Sequence, residues 1–178
     1  MKVCIIGNGL VGLTLANVLV QKDLFVDIYA TKKNYNYDQS RTLGITRSNI
    51  DYFNKEVINI NEILWNIYNI KIYTEKDIKK ELLKFNNKKY QIFSIIRNYK
   101  LQKLLNTKLR NNKIIKFKKN LDIDNNKYKL VINSDPNHLF VKKFFSKKIE
   151  KKYNSFAYTT TIILKKIKND TAFQNFTI

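Results

Sequence analysis

A mixed α/β fold organised around a parallel sheet is predicted by three observations. Three of the four glycines in 178 residues lie in one hexapeptide, Gly7-Asn8-Gly9-Leu10-Val11-Gly12. A short apolar run precedes it, and a helical apolar pattern followed by a second apolar run comes after it. Strand, glycine turn, helix and strand within roughly thirty residues make up the unit of a Rossmann-like dinucleotide-binding sheet.

The elements follow in order. Lys2 to Ile6, with Val3, Cys4, Ile5 and Ile6, has the continuous apolar character of a strand buried on both faces. Leu13, Leu15, Ala16, Val18, Leu19 and Val20 predict a helix that stops near Gln21-Lys22-Asp23, and Leu24 to Tyr29 reads as the second strand. The three glycines play different parts. Gly7 permits the tight turn, Gly9 lets a pyrophosphate approach the backbone, and Gly12 lets helix and strand pack closely. The helix amino terminus offers unpaired N–H groups and a positive dipole end to phosphate. Ser40 to Thr46 reads as extended, and Ser48 to Val57 as a short helix with Ile50, Phe53 and Val57 inward. Ile67 to Thr74 alternates as a strand, and Lys80 to Phe85 with Lys89 to Ile95 predict a neighbouring pair around the Asn86-Asn87 turn. Leu101, Leu104, Leu105 and Leu109 give Asn98 to Arg110 a helical spacing. Lys113 to Lys118 and Tyr128 to Asn133 read as strands, and Pro136 forces a turn after the second. Asn137 to Phe145 predicts a helix, and Tyr153 to Ile167 is rich in β-formers.

Composition bounds the function. The chain carries 34 Lys and Arg against 14 Asp and Glu, a net charge of +20, with 44% hydrophobic residues. That hydrophobic share excludes a disordered chain, and no apolar run approaches the length of a membrane span. The only apolar run before the glycines is Val3 to Ile6, so no signal peptide is expected. The single cysteine, Cys4, is expected to pack as a small hydrophobe, which fits a reducing cytoplasm. The lysines are spread among Asn and Ile rather than gathered in an arginine-rich arm. A solvated basic exterior is expected, with no specific nucleic-acid surface, and loose adhesion to an anionic membrane surface stays open. One His and one Cys build neither a Ser-His-Asp set nor a metal cluster. His138, the only histidine, is expected to be a surface or capping residue, and no catalytic residue is assigned.

In order along the chain, several segments resemble the amino-terminal half of the flavin-dependent aromatic hydroxylases, in the branch that acts on ubiquinone precursors. They are Val3 to Ala16, Ser40-Arg41-Thr42-Leu43-Gly44-Ile45, Ile95-Ile96-Arg97-Asn98 with Leu101 and Leu104, Leu130-Val131-Ile132-Asn133-Ser134-Asp135, Tyr153 to Tyr158, and Thr171 to Thr177. The resemblance implies an FAD-dependent monooxygenase with NAD(P)H as reductant and a polyprenylated aromatic substrate. Gly7, Gly9 and Gly12 would hold the FAD pyrophosphate, Arg41 would lie by the flavin or its phosphates, Arg97 could reach the cofactor, and Asp135 would match the Asp of the second nucleotide motif. It implies an FAD-binding region over 1–150, with substrate-domain strands inserted around 67–95, and the start of a substrate-binding β-sheet over 151–178. Location would be cytoplasmic or peripheral to a membrane.

Departures from the family pattern are as informative. The second strand of such folds ends on an acid that binds the adenosine ribose, whereas this chain has Ala30. Asp27, three residues earlier, points to the opposite face by the period of a strand. Pro136 replaces the family glycine after Asp135 and cannot take a positive φ. Leu139 and Lys142 stand where serine and arginine are usual. Family members are longer, and their second FAD segment falls in a half that these 178 residues do not contain, so a complementary carboxy-terminal half is an implied partner. A catalytically inactive nucleotide-binding remnant and a non-enzymatic basic binding protein are the alternatives.

Overall fold

The computed structural model describes residues 1–30, 39–75, 80–119, 127–144, 151, 153–158, 160, 162 and 169–176. In chain order the elements are β1 (Lys2–Ile6), α1 (Leu10–Gln21), β2 (Phe25–Tyr29), β3 (Thr42–Ile45), α2 (Arg47–Tyr52), β4 (Leu64–Ile67), β5 (Asn69–Thr74), β6 (Leu83–Asn86), β7 (Phe93–Arg97), α3 (Asn98–Arg110), β8 (Ile115–Lys118), β9 (Leu130–Asn133), α4 (Leu139–Phe144) and β10 (Thr171–Phe176). They form two compact units, Met1–Asp38 with Tyr99–Thr159, and Gln39–Asn98 with Thr160–Ile178.

The first unit is built on a four-stranded sheet in the order β8-β2-β1-β9, with every pairing parallel. Parallel neighbours need crossovers, and α1 supplies the one from β1 to β2. Val3, Ile5, Val26 and Ile28 are wholly buried on one face of the strands. Cys4, Ile6 and Tyr29 face the other way and cluster with Tyr128 and Phe140. Sheets covered on both sides need apolar residues at every position, which is why β1 reads as an unbroken apolar run. Leu13, Ala16 and Val20 of α1 and Leu101, Leu105 and Leu109 of α3 recur at helical spacing and are buried. Asn17 lies among them and donates from Nδ2 to the Leu13 carbonyl at 2.8 Å and to the Leu105 carbonyl at 3.4 Å.

The second unit holds two three-stranded sheets, β3-β7-β4 and β10-β5-β6. The first is antiparallel throughout; in the second, β10 runs parallel to β5 and β6 antiparallel to it. Ile45, Ile50, Val57, Ile60, Ile67 and Ile96 are its buried apolar residues. Thr46 caps α2 by accepting from the Asn49 N–H through Oγ1.

Four expectations are corrected here. The predicted pair around Asn86-Asn87 is not a hairpin: β6 pairs with β5, whereas β7 lies between β3 and β4. The Asn87 side chain accepts from the Lys89 and Tyr90 N–H groups, so a turn forms, but the strands that flank it diverge. The single strand predicted over Ile67 to Thr74 is two, because the chain changes sheets at Tyr68, where the Tyr68 and Asn69 N–H groups both turn to the Asp170 carbonyl. The helix predicted over Ser48 to Val57 is regular only to Tyr52 and continues as a π turn, Phe53–Val57, with Ile50 and Val57 buried as expected. Tyr153 to Tyr158 forms no strand; most of the rest of the β-rich run to Ile167 lies outside the described residues.

Candidate functional site

In the parallel sheet the chain leaves β1 for β2 on one side and later returns to place β9 on the other. Ligands of open α/β sheets bind where the strand order divides in this way, at the carboxyl ends of the strands. The residues that leave β1 and β9 at that edge are Gly7 and Ser134, since Ile6 and Asn133 are register partners. The glycine loop and the Ser134-Asp135 turn are thus brought side by side by topology across more than a hundred residues of sequence.

Each glycine has a distinct environment. Gly7 has φ of +104°, a conformation that L side chains rarely adopt, and its N–H donates to the Tyr29 carbonyl at 2.9 Å. A Cβ there would lie 2.6 Å from Ser134 Oγ and 3.1 Å from the Asp135 nitrogen. A Cβ on Gly12 would run into the Gly7 carbonyl oxygen and lie 2.7 Å from Ser134 Oγ. Gly9 is different: a Cβ there would meet nothing within 4 Å. Gly7 and Gly12 therefore close the loop onto the protein, while the space beside Gly9 is open. Gly9 is also the N-cap of α1, where no side chain caps the helix and no acid occupies the first turn. The first N–H groups of a twelve-residue helix and its positive dipole end thus suit an anion.

Ser134 fixes this arrangement, although in sequence it stands out only as the neighbour of Asp135. Its hydroxyl donates to the Ile6 carbonyl at 2.9 Å and lies 3.3 Å from that of Gly7, and its N–H donates to Ile6 at 2.8 Å. Gln102 Nε2, from α3, also ties down the loop by donating to the Asn8 carbonyl at 3.3 Å. Nothing in the sequence marks Gln102, because the contact spans 94 positions.

Asp135 stands beside the glycine loop. Its carboxylate Oδ1 accepts from the Asn137 N–H at 2.9 Å, closing an Asx turn across Pro136. His138 Nδ1 accepts from the Phe140 N–H at 3.2 Å, so the histidine caps α4 as its position suggested. Arg41 and Arg97 belong to the second unit. Arg97 ends β7 opposite Thr42, and the Arg41 carbonyl accepts from the Asn98 N–H at 3.0 Å, so the two arginines flank one end of the β3-β7 ladder. Gly7, Gly12 and Asp135 are therefore gathered in one unit and Arg41 with Arg97 in the other.

Asp27 is occupied elsewhere. Its carboxylate is buried, accepts from Tyr128 Oη at 2.7 Å, and pairs with Lys2 Nζ at 3.0 Å and Lys118 Nζ at 3.1 Å. Tyr128 Oη also bonds Tyr29 Oη at 2.9 Å. Burial alone would raise the Asp27 pKa, but the Tyr128 hydroxyl and the two ammonium groups outweigh it and hold the pKa below its usual value. Beside it, burial and then the Asp27 charge push the Cys4 thiol up to about 11, against a smaller opposing effect of Lys118. Asp27 thus cannot replace the acid missing at Ala30, and Cys4 is the inert packing residue expected.

No family model matches the chain, and no curated protein sequence does. Solved structures do match in fold. PqsL from Pseudomonas aeruginosa superposes with a TM-score of 0.62 at 12% identity, over 86% of this chain and 48% of that one. The p-nitrophenol 4-monooxygenase PnpA from Pseudomonas putida gives 0.56 at 13%, over 66% and 31%. HpxO from Klebsiella pneumoniae, solved with FAD and uric acid, gives 0.53 at 15%, over 66% and 30%. PqsL has also been solved with 2-aminobenzoylacetate. The chain therefore has the fold of part of the FAD-dependent aromatic monooxygenases, and spans from under a third to about half the length of these three.

Proposed function

We propose that this chain is the nucleotide-binding portion of an FAD-dependent monooxygenase that hydroxylates an aromatic ring, a polyprenylated precursor of ubiquinone, with NAD(P)H as reductant. The observation that carries the reading is the glycine cradle at the strand-order division, closed at Gly7 and Gly12 and open at Gly9. The fold of the neighbours supports FAD as the dinucleotide, and the resemblance of the ordered sequence segments supports the quinone-precursor branch.

The residues fit the pyrophosphate of FAD and fit its adenosine less well. The loop backbone at Gly9 and the first turn of α1 would face the phosphates, with Gly7, Gly12 and Asp135 shaping the loop. Arg41 and Arg97 would supply charge toward the cofactor, since a guanidinium can donate two bonds to phosphate oxygens. Ala30 offers no side-chain acceptor to the ribose, a loss of about 1–3 kcal/mol of cofactor binding. When bound, FAD would supply the redox chemistry of the hydroxylation, with NAD(P)H as reductant and oxygen as co-substrate. The chain's part is to bind and orient that cofactor. The Met1–Asp38 and Tyr99–Thr159 unit is assigned to FAD, and the Gln39–Asn98 and Thr160–Ile178 unit to the substrate, working with a complementary carboxy-terminal half.

The reading is tested by flavin titration of the purified chain, alone and with a neighbour-derived carboxy-terminal half, followed by NAD(P)H-dependent oxygen uptake. Flavin binding that requires Gly9 and oxygen uptake in the combined sample are expected. Absence of flavin binding in both samples overturns the reading. The alternative of an inactive nucleotide-binding remnant is favoured by Ala30 and by the engagement of Asp27, and predicts flavin binding with no oxygen uptake in either sample.

A further inference from the structure

The end of β2, where a dinucleotide fold receives the adenosine ribose, carries an unusual set of charges in this chain. Two backbone hydrogen bonds set its parts in a row along the carboxyl edge of the parallel sheet. The Gly7 N–H donates to the Tyr29 carbonyl at 2.9 Å, and the Ala30 N–H donates to the Lys118 carbonyl at 3.1 Å. Ala30 therefore stands between the glycine turn after β1 and Lys119, which follows β8 and is exposed. Lys118 turns its ammonium to Asp27 at 3.1 Å, so by the period of a strand Lys119 lies on the opposite face, which Ala30 shares with Ile28. No carboxylate pairs with Lys119 among the described residues. The three described acids of this unit, Asp23, Asp27 and Asp135, are all placed elsewhere. Asp23 lies in the turn that enters β2, at the amino end of the strand. Asp27 is buried on the other face between Lys2 and Lys118, and Asp135 follows β9, on the far side of β1. The end of β2 thus offers a small neutral side chain with an ammonium beside it.

We propose that this edge accepts an adenosine ribose bearing a 2′-phosphate, so that NADP(H) occupies the glycine cradle as an alternative to FAD. In dinucleotide folds the acid at the end of the second strand binds the ribose hydroxyls, and a basic residue nearby accommodates a phosphate placed on them. Such an acid also selects against the phosphate, because like charges brought together are a penalty that only the wrong ligand meets. Ala30 removes both the hydroxyl contact and that penalty. Lys119 supplies what the phosphate needs, a point charge on a flexible stem. Asp27 does not restore the penalty, because its carboxylate is turned away and is paired with two ammonium groups. FAD carries an unphosphorylated ribose and leaves Lys119 without a ligand contact, so the ribose phosphate is what distinguishes the two occupants. The inference rests on the reading of the cradle as a dinucleotide site and not on FAD being the dinucleotide.

The proposal is tested by titration calorimetry of the whole chain with 5′-ADP, 2′,5′-ADP and 3′,5′-ADP at physiological salt, with FAD titrated in parallel. 2′,5′-ADP is expected to bind about 10-fold tighter than 5′-ADP, the gain of one charge-assisted contact. It should also bind tighter than 3′,5′-ADP, which carries the same charge on the neighbouring hydroxyl. Lys119→Gln is expected to weaken 2′,5′-ADP about 10-fold, and Lys119→Arg to retain the preference. Lys119 is exposed, so circular dichroism should be unchanged in both variants. Ala30→Asp is expected to reverse the preference in favour of 5′-ADP. NADP+ should displace bound FAD at a lower concentration than NAD+ does. Equal binding of 2′,5′-ADP and 5′-ADP, or a preference that Lys119→Gln leaves intact, overturns the proposal. Equal binding of 2′,5′-ADP and 3′,5′-ADP overturns it in favour of a general attraction of the basic chain for phosphate. FAD binding without a 2′-phosphate preference overturns this inference and leaves the flavin reading standing, whereas a 2′-phosphate preference without FAD binding does the reverse.

Discussion

Replacing Gly7, Gly9 and Gly12 by Ala one at a time separates the glycines that fold the loop from the one proposed to face the cofactor phosphates. At Gly12 the added methyl would overlap the Gly7 carbonyl oxygen and lie 2.7 Å from Ser134 Oγ. Backbone at a strand end cannot swing aside as a side-chain tip can, so strand and helix must part by a fraction of an ångström. Overpacking of this kind costs about 1–3 kcal/mol. At Gly7 the methyl would lie 2.6 Å from Ser134 Oγ, and φ of +104° adds strain of about 1–3 kcal/mol. At Gly9 the methyl would meet nothing within 4 Å, so only the poorer capping of α1 by Ala is lost, about 0.5–1 kcal/mol. Urea unfolding would therefore show large losses for Gly7→Ala and Gly12→Ala and a small one for Gly9→Ala. Flavin titration of the folded proteins would show the reverse emphasis, with Gly9→Ala weakened about 10-fold or more because its methyl stands where a phosphate must approach. A Gly9→Ala protein as unstable as Gly12→Ala, or one that binds flavin as the parent does, would refute the assignment of roles.

Two further predictions concern the buried face of the sheet. Asp27→Asn should lower stability at pH 7 by about 2 kcal/mol: it loses a charge-assisted bond from Tyr128 and two pairs to lysines that are themselves about one-third exposed and so contribute little each. Because the folded pKa of Asp27 is depressed, its contribution is present above the unfolded carboxylate value of about 3.9 and fades as pH falls toward the folded one. Parent and Asp27→Asn unfolding midpoints should therefore converge in acid, and a constant gap from about pH 7 to about pH 2 would contradict the paired carboxylate. Cys4, buried and held at about 11, should resist a thiol reagent at about pH 8 in the native protein and react fully in denaturant. Rapid labelling without denaturant would show that β1 is not covered on that face.

Much of the first unit was legible because its signals are local. An unbroken apolar run, a glycine turn and helical spacing specify β1, α1 and β2 within the first 29 residues, and the tight turn expected at Gly7 and the close packing expected at Gly12 match the space around each. Leu101, Leu105 and Leu109 likewise announce the buried stripe of α3. The absence of an acid at Ala30 was also readable, and the engagement of Asp27 by Lys2, Lys118 and Tyr128 supplies its structural counterpart.

Pairing between strands was not legible, because a strand's sequence records which side chains are buried and not which backbone lies beside it. Asn86-Asn87 marked a turn correctly, yet β6 and β7 belong to different sheets. The break at Tyr68 depends on Asp170, which is distant in sequence. The same holds at the site. Sequence by itself determined that a glycine loop precedes a helix and that an Asp follows a later strand. Only the tertiary structure set Ser134 and Asp135 against Gly7 and Gly12, because two parallel strands meet at one edge only after the chain has crossed the sheet and returned.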